Sequence, residues 1–124
     1  MSPNAIKSLQ HKGLPFQVGG KLWIECNGKK FFGPGPVELL ELVEKNGSIS
    51  KAARAMGLSY KKAWEIIDSA NRLTALPLVI TQSGGENGGG TILTNEAKKL
   101  ITYHKALRKR FEQFLKNETA RLNR

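Results

Sequence analysis

The sequence predicts an α+β domain, mainly helical, in which an N-terminal β-hairpin precedes three helices, a second hairpin and a long C-terminal helix. Three observations predict it. A β-prone stretch is broken by Asn27-Gly28; short runs with three- and four-residue apolar spacing follow, punctuated by Gly47 and Gly57; and a glycine-rich stretch at 83–90 separates two short apolar runs ahead of one long apolar stripe. The 124 residues suit one domain, and an apolar content of 40% suffices for one modest core. No apolar run approaches the roughly 18 residues that span a bilayer. Residues 1–7 lack the apolar region of a signal peptide. The single cysteine, Cys26, excludes an intramolecular disulfide, so a cytoplasmic protein without a membrane partner is expected.

Residues 1–15 read as a leader without periodicity, and residues 16–94 as the domain proper. Within it, Lys21-Leu-Trp-Ile-Glu-Cys26 and Lys29-Lys-Phe-Phe32 flank Asn27-Gly28, a pair suited to a two-residue type I′ turn because both positions need positive φ. The implied register sets Glu25 opposite Lys30, Ile24 opposite Phe31 and Trp23 opposite Phe32. Phe16-Gln-Val18 is expected to add an upstream strand. Gly33-Pro-Gly-Pro36 stops the sheet, and Pro36 suits the first position of a helix whose inner face is Val37, Leu40 and Val43, widened by Leu39 and Leu42. Asn46-Gly47 ends it.

Ser50 is expected to cap a short second helix over 51–56, and Gly57 to supply a turn. Ser59 then caps a third helix over 60–73, with Ala63, Ile66, Ile67, Ala70 and Leu73 as its buried stripe. Residues 76–82 and 91–94 read as strands around the glycine-rich loop. Thr94 caps the C-terminal helix, 95–124, whose stripe of Ala97, Leu100, Ile101, His104, Leu107, Phe111, Phe114 and Leu115 runs to about residue 118. At about 1.5 Å per residue that stripe belongs to a rod of roughly 37 Å, longer than a small three-helix core can cover. Phe111, Phe114 and Leu115 would then be exposed in a lone copy, which marks an interaction surface and suggests a homodimer.

Charge is patterned along the chain. Twenty Lys and Arg against ten Asp and Glu give a net charge of +10, which points to a polyanionic partner. Residues 33–47 are net −2, residues 48–73 net +3 and residues 95–124 net +6. The order of three helices and then a hairpin is that of a winged helix-turn-helix, with 51–56, Gly57 and 60–73 as the helix-turn-helix. In that geometry the second helix crosses the duplex backbone and the third enters the major groove by its N-terminal end. Here that end offers Ser59, Tyr60, Lys61 and Lys62, able to reach phosphates and base edges.

Other readings stay open at this level. The glycine stretch is neither a P-loop, since no Gly-Lys-Ser/Thr follows, nor a Gly-x-Gly-x-x-Gly fingerprint. It is either a wing tip that brings backbone N–H groups to phosphate or a plain hairpin loop. Trp64 is either a DNA contact or a boundary residue packed between helices, and His104 is a core or interface histidine without metal-ligand neighbours. No nucleophile–base pairing is indicated, so no enzyme, cofactor or metal is expected. The competing function is a winged-helix protein-interaction module; RNA binding would need a platform of stacking aromatics, for which only Tyr60 and Trp64 offer themselves.

The stretch Gly47-Ser-Ile-Ser-Lys-Ala-Ala-Arg-Ala-Met-Gly-Leu-Ser-Tyr-Lys-Lys-Ala-Trp64 resembles the N-terminal DNA-binding domain of the molybdate-responsive ModE regulators, whose helix-turn-helix is similar to that of LysR-type regulators. The likeness extends to Leu22-Trp23, Phe32-Gly-Pro-Gly35, Asp68-Ser-Ala-Asn71, Gly84-Gly85, Gly88-Gly-Gly90 and Leu93-Thr94, covering residues from about 18 to 115. It implies a dimeric transcriptional regulator on double-stranded DNA. By position it implies DNA contacts from Ser50, Lys51, Ser59, Tyr60, Lys61, Lys62 and the wing residues Gly88, Gly89, Gly90 and Thr91. It also matches Leu100, Ile101, His104, Leu107, Phe111, Phe114 and Leu115 to a dimerising helix. Family members continue into oxyanion-binding domains, for which these 124 residues offer no counterpart. The expectation is therefore a link to molybdate transport or metabolism without a sensing domain, the chain acting either as a stand-alone regulator or with a separate oxyanion-sensing protein as a partner.

Overall fold

The computed structural model describes residues 6–82 and 90–124. Among them lie β1 (Ile24–Cys26), β2 (Lys29–Phe32), α1 (Pro34–Asn46), α2 (Ile49–Ala55), α3 (Tyr60–Asn71), β3 (Val79–Gln82), β4 (Gly90–Leu93) and α4 (Asn95–Leu122), after a 3-10 turn at Lys7–Leu9. The fold is mixed α/β, with two antiparallel two-stranded sheets, β1–β2 and β3–β4. The residues group into two units, Trp23–His104 and Met1–Leu22 with Lys105–Arg124.

In the first unit, Asn27 and Gly28 have φ of 52° and 77°, as the Asn-Gly pair predicts for the β1–β2 turn. Glu25 faces Lys30, also as expected, but the register shifts between Ile24 and Glu25, so that Ile24 pairs with Phe32 rather than Phe31. The irregularity swings Phe32 inward, where it is fully buried, and leaves Phe31 half-buried. On the outer side Lys30 Nζ stands 4.3 Å above the Trp23 ring, and Trp23 Nε1–H donates to Glu25 Oε2 at 2.9 Å.

Helix α1 begins two residues earlier than expected, with Gly33 as its N-cap and Pro34 first. Both Pro34 and Pro36 fit because the first four N–H groups of a helix have no intrahelical acceptor to lose. Leu39, Leu40 and Val43 are buried on its inner face. Around that face pack Ile49, Ala52 and Ala53 of α2, Ala63, Ile67 and Ala70 of α3, Leu78, Val79 and Leu93 of the second hairpin, and Ala97 and Ile101 of α4. The alanines let the helices approach closely.

Helix α2 is capped by Ser48, not Ser50: the Ser48 hydroxyl accepts from the Lys51 N–H at 3.2 Å. Starting at Ile49 places that residue in the core, and Ser50 is left on the outer side of the first turn. Helix α3 stops at Asn71, two residues short of the expected end. The Asn71 side-chain carbonyl there accepts from the Leu78 N–H at 2.8 Å, turning the chain toward β3.

The β3–β4 register runs from Val79 opposite Leu93 to Gln82 opposite Gly90; the intervening 83–89 lie outside the described residues. Thr94 caps α4 as expected, accepting from the Ala97 N–H at 3.2 Å, and its hydroxyl donates to the Pro77 carbonyl at 2.8 Å. That pair of bonds joins the base of the hairpin to the helix start.

In the second unit the expected strand at 16–18 does not form. The Val18 N–H is bonded instead to Thr119 Oγ1 of α4 at 3.0 Å. Asn123 holds the same segment twice, accepting from Gln10 Nε2 at 2.7 Å and donating through Nδ2 to the Phe16 carbonyl at 2.8 Å. Gln10, within the stretch expected to be a leader, is thus tied to the end of α4, as are Phe16 and Val18 just after it.

Two substitutions separate the competing caps. Ser48→Ala is expected to lower stability by about 1 kcal/mol, whereas Ser50→Ala should leave it within about 0.5 kcal/mol, in urea unfolding followed by circular dichroism. Leu39→Ala should cost about 2–5 kcal/mol in the same measurement.

Candidate nucleic-acid interface

The candidate site is built on α2, the Gly57 turn and α3. Gly57 has φ +70°, a left-handed conformation that glycine adopts without a Cβ penalty. It lets the Leu58 N–H reach back to the Ala53 carbonyl at 2.9 Å, closing the end of α2. Ser59 then caps α3 as expected, accepting from the Lys62 N–H at 3.0 Å. The cap fixes where the helix starts, and the inward positions Ala63, Ile67 and Ala70 fix its rotation.

With start and rotation set, Ser59, Tyr60, Lys61 and Lys62 are all exposed, Tyr60 at 58%. On α2, Ala52 and Ala53 face inward while Ser50, Lys51 and Arg54 face solvent. Arg54 was not singled out from the sequence, though its place one residue beyond the buried alanine pair is a usable signal. Among the described residues, no carboxylate lies within ion-pair reach of Lys51, Arg54, Lys61 or Lys62. Neither α2 nor α3 has an acidic residue in its first turn. The cations therefore add to the partial positive charge of the helix N-termini rather than being offset by it. Such a surface can neutralise phosphates and donate hydrogen bonds to acceptor groups. Trp64 is exposed on α3.

The expected wing contacts fare differently. Gly88 and Gly89 lie outside the described residues, and Gly90 is half-buried. Thr91 is only 6% exposed, and its N–H donates to the Gly47 carbonyl at 3.0 Å. Strand alternation explains this: Thr91 and Leu93 share the inward face, so a DNA contact by the Thr91 side chain is corrected to a packing role. The outward positions are Ile80 and Ile92, paired across the strands and 47% and 46% exposed.

Of the expected dimer residues, Ile101 is buried and His104 is 1% exposed, its ring edge-on to Phe32 with centroids 5.6 Å apart. Both belong to the chain's own core, and Leu100 packs against it. Leu107, Phe111 and Leu115 are half-buried. A Cβ on Gly20 would stand 3.1 Å from Phe111 Cζ and 3.9 Å from Leu115 Cδ2, so the chain's own N-terminal segment covers that part of the stripe. Phe114 stays 55% exposed. Among the described residues no group of three or more His, Cys, Asp or Glu side chains could hold a metal ion, and no helix is long and apolar enough to cross a membrane.

Comparison with known proteins places this surface in context. The chain is 41% identical over 87 residues to the molybdenum transport protein ModE of Azotobacter vinelandii, covering 70% of this chain and 32% of that protein. It is 37% identical over 86 residues to the DNA-binding transcriptional dual regulator ModE of Escherichia coli, covering 69% of this chain and 33% of that protein. It is 46% identical over 71 residues to the molybdenum-pterin-binding protein MopB of Rhodobacter capsulatus, covering 57% of this chain and 26% of that protein. No family model matches the chain. The protein is thus ModE-like over most of its residues, while spanning about a third of the length of these curated relatives.

Because Gly57 sets the angle at which α3 leaves α2, Gly57→Ala is expected to cost about 1–2 kcal/mol in chemical unfolding. A substitution tolerated without loss would show that the turn relaxes to another conformation.

Proposed function

We propose that the chain is a winged helix-turn-helix protein of the ModE and LysR type that binds double-stranded DNA and regulates transcription in connection with molybdate transport or metabolism. The observation that carries this reading is the capped, acid-free first turn of α3, with Tyr60, Lys61 and Lys62 exposed, as are Lys51 and Arg54 of α2. In this reading α3 is the recognition helix, α2 crosses the backbone, and β3–β4 is the wing. Similarity to a regulator whose name includes DNA binding supports the partner, and similarity to proteins named for molybdenum supports the metabolic link.

The reading keeps a two-fold dimer, which would set two recognition helices about 34 Å apart, one turn of duplex. Exposed Phe114 now supports it, in place of the whole 100–115 stripe. One observation favours a second reading, a protein-interaction module: the exposed Ile80–Ile92 pair gives the hairpin an apolar outer side.

Lys61→Ala or Lys62→Ala is expected to weaken binding to a duplex selected from a random pool by about 1–3 kcal/mol where a base contact is lost. Unchanged affinity in both variants would remove the recognition role from α3. Absence of any gel shift with random duplex at low salt would favour the protein-interaction module. Sedimentation of a single copy at micromolar concentration would count against the dimer.

A further inference from the structure

The proposed recognition surface leaves most of the net charge unexplained. The unit of Met1–Leu22 and Lys105–Arg124 holds ten of the chain's twenty basic residues and two of its ten acidic ones, so it carries +8 of the net +10. Both carboxylates are engaged within α4: Glu112 with Arg108 at 3.1 Å and Glu118 with Arg121 at 3.2 Å. Lys109, Arg110 and Lys116 are exposed, and among the described residues no carboxylate lies within ion-pair reach of them. Lys7, Lys12 and Lys21 of the N-terminal segment are exposed as well.

We propose that this unit is a second binding face, indifferent to base sequence, for the phosphates of duplex DNA; its choice of partner rests on the DNA-binding reading above. Lys109 and Lys116 are one heptad apart, so they lie within about 20° of each other around the helix. Seven residues at about 1.5 Å each set them about 10 Å apart along α4. A duplex carries one charge per about 1.7 Å of axis with both strands counted, so that length of axis carries roughly six phosphates.

The chemistry favours duplex DNA over other polyanions. A membrane-surface helix needs its apolar side free to enter the lipid. Here Phe111 and Leu115 on that side are half-buried beside Gly20 and the segment held by Thr119 and Asn123, which leaves Phe114 as the exposed large apolar side chain of α4 beyond His104, with no continuous apolar face to enter lipid. Single-stranded RNA needs exposed aromatics among the cations. The exposed aromatic of this part of α4, Phe114, is two residues before Lys116 and so about 160° away from it around the helix. What remains is a dense positive surface without shape or stacking specificity, which suits backbone contact and salt-sensitive, non-specific attraction.

The test uses the full chain, random-sequence duplex, and vesicles of phosphatidylserine in phosphatidylcholine. A K109Q/R110Q/K116Q variant keeps helix-forming residues at three exposed positions, so its fold should be retained and is checked by circular dichroism. Its plot of log affinity against log salt is expected to be shallower by about two to three units, and its affinity at low salt about tenfold lower or more. An unchanged slope overturns the proposal. So does a loss confined to the vesicles, which would make the face a membrane contact. The K61A/K62A variant runs in parallel: if it alone loses duplex binding, the recognition reading stands and the second face falls. If the triple variant alone loses it, the second face stands and the recognition reading falls.

Discussion

Burial of the inner face of α1 is the constraint on which the rest of the larger unit depends. Leu39, Leu40 and Val43 are out of contact with water, and α2, α3 and the second hairpin each find their place by packing against them. Magnitudes support that ordering. A fully buried leucine contributes about 1.5–3 kcal/mol, while exposed ion pairs such as Asp68–Arg72 contribute about 0–1 kcal/mol each. The charged groups on the surface therefore do little to hold the fold together. They are free to be placed for another purpose, and the packing beneath decides where they point.

Much of this was legible in the sequence because it is local. The Asn27-Gly28 turn, the Ser59 and Thr94 caps and the alternation of buried and exposed positions on α3 each follow from a few adjacent residues. The exposure of Tyr60, Lys61 and Lys62 follows from them in turn. What escaped had non-local causes. Ser48 and Ser50 are equally good caps by composition; the choice between them falls to Ile49, which must enter a core made by other elements. The shifted β1–β2 register answers to the burial of Phe32 and not to the pairing preferences of the strands. The docking of the N-terminal segment relies on amide and hydroxyl side chains more than one hundred positions away, with no periodic trace in either partner.

That docking also changes how an apolar stripe should be interpreted. Read as a pattern, residues 100–115 look like a surface waiting for another molecule. In the structure the early part of the stripe is core, its middle is covered by the chain's own beginning, and Phe114 is what stays open. Periodicity reports which side of a helix avoids water. It does not report what supplies the cover, because intramolecular and intermolecular burial leave the same imprint on the sequence.

One small contact links the two halves of the proposed interface. Gly47 closes α1 in a left-handed conformation, and its carbonyl receives the Thr91 N–H of the second hairpin. Both partners are main-chain groups, so the tether depends on the left-handed Gly47 and on Gly90, whose added Cβ would stand 3.3 Å from the Gly47 carbonyl, and not on any outward side chain. The outward residues of hairpin and helices can be exchanged during divergence without loosening it. Surface chemistry can thus be retuned while the spacing of the parts that present it stays fixed, which gives a small scaffold room to acquire new targets.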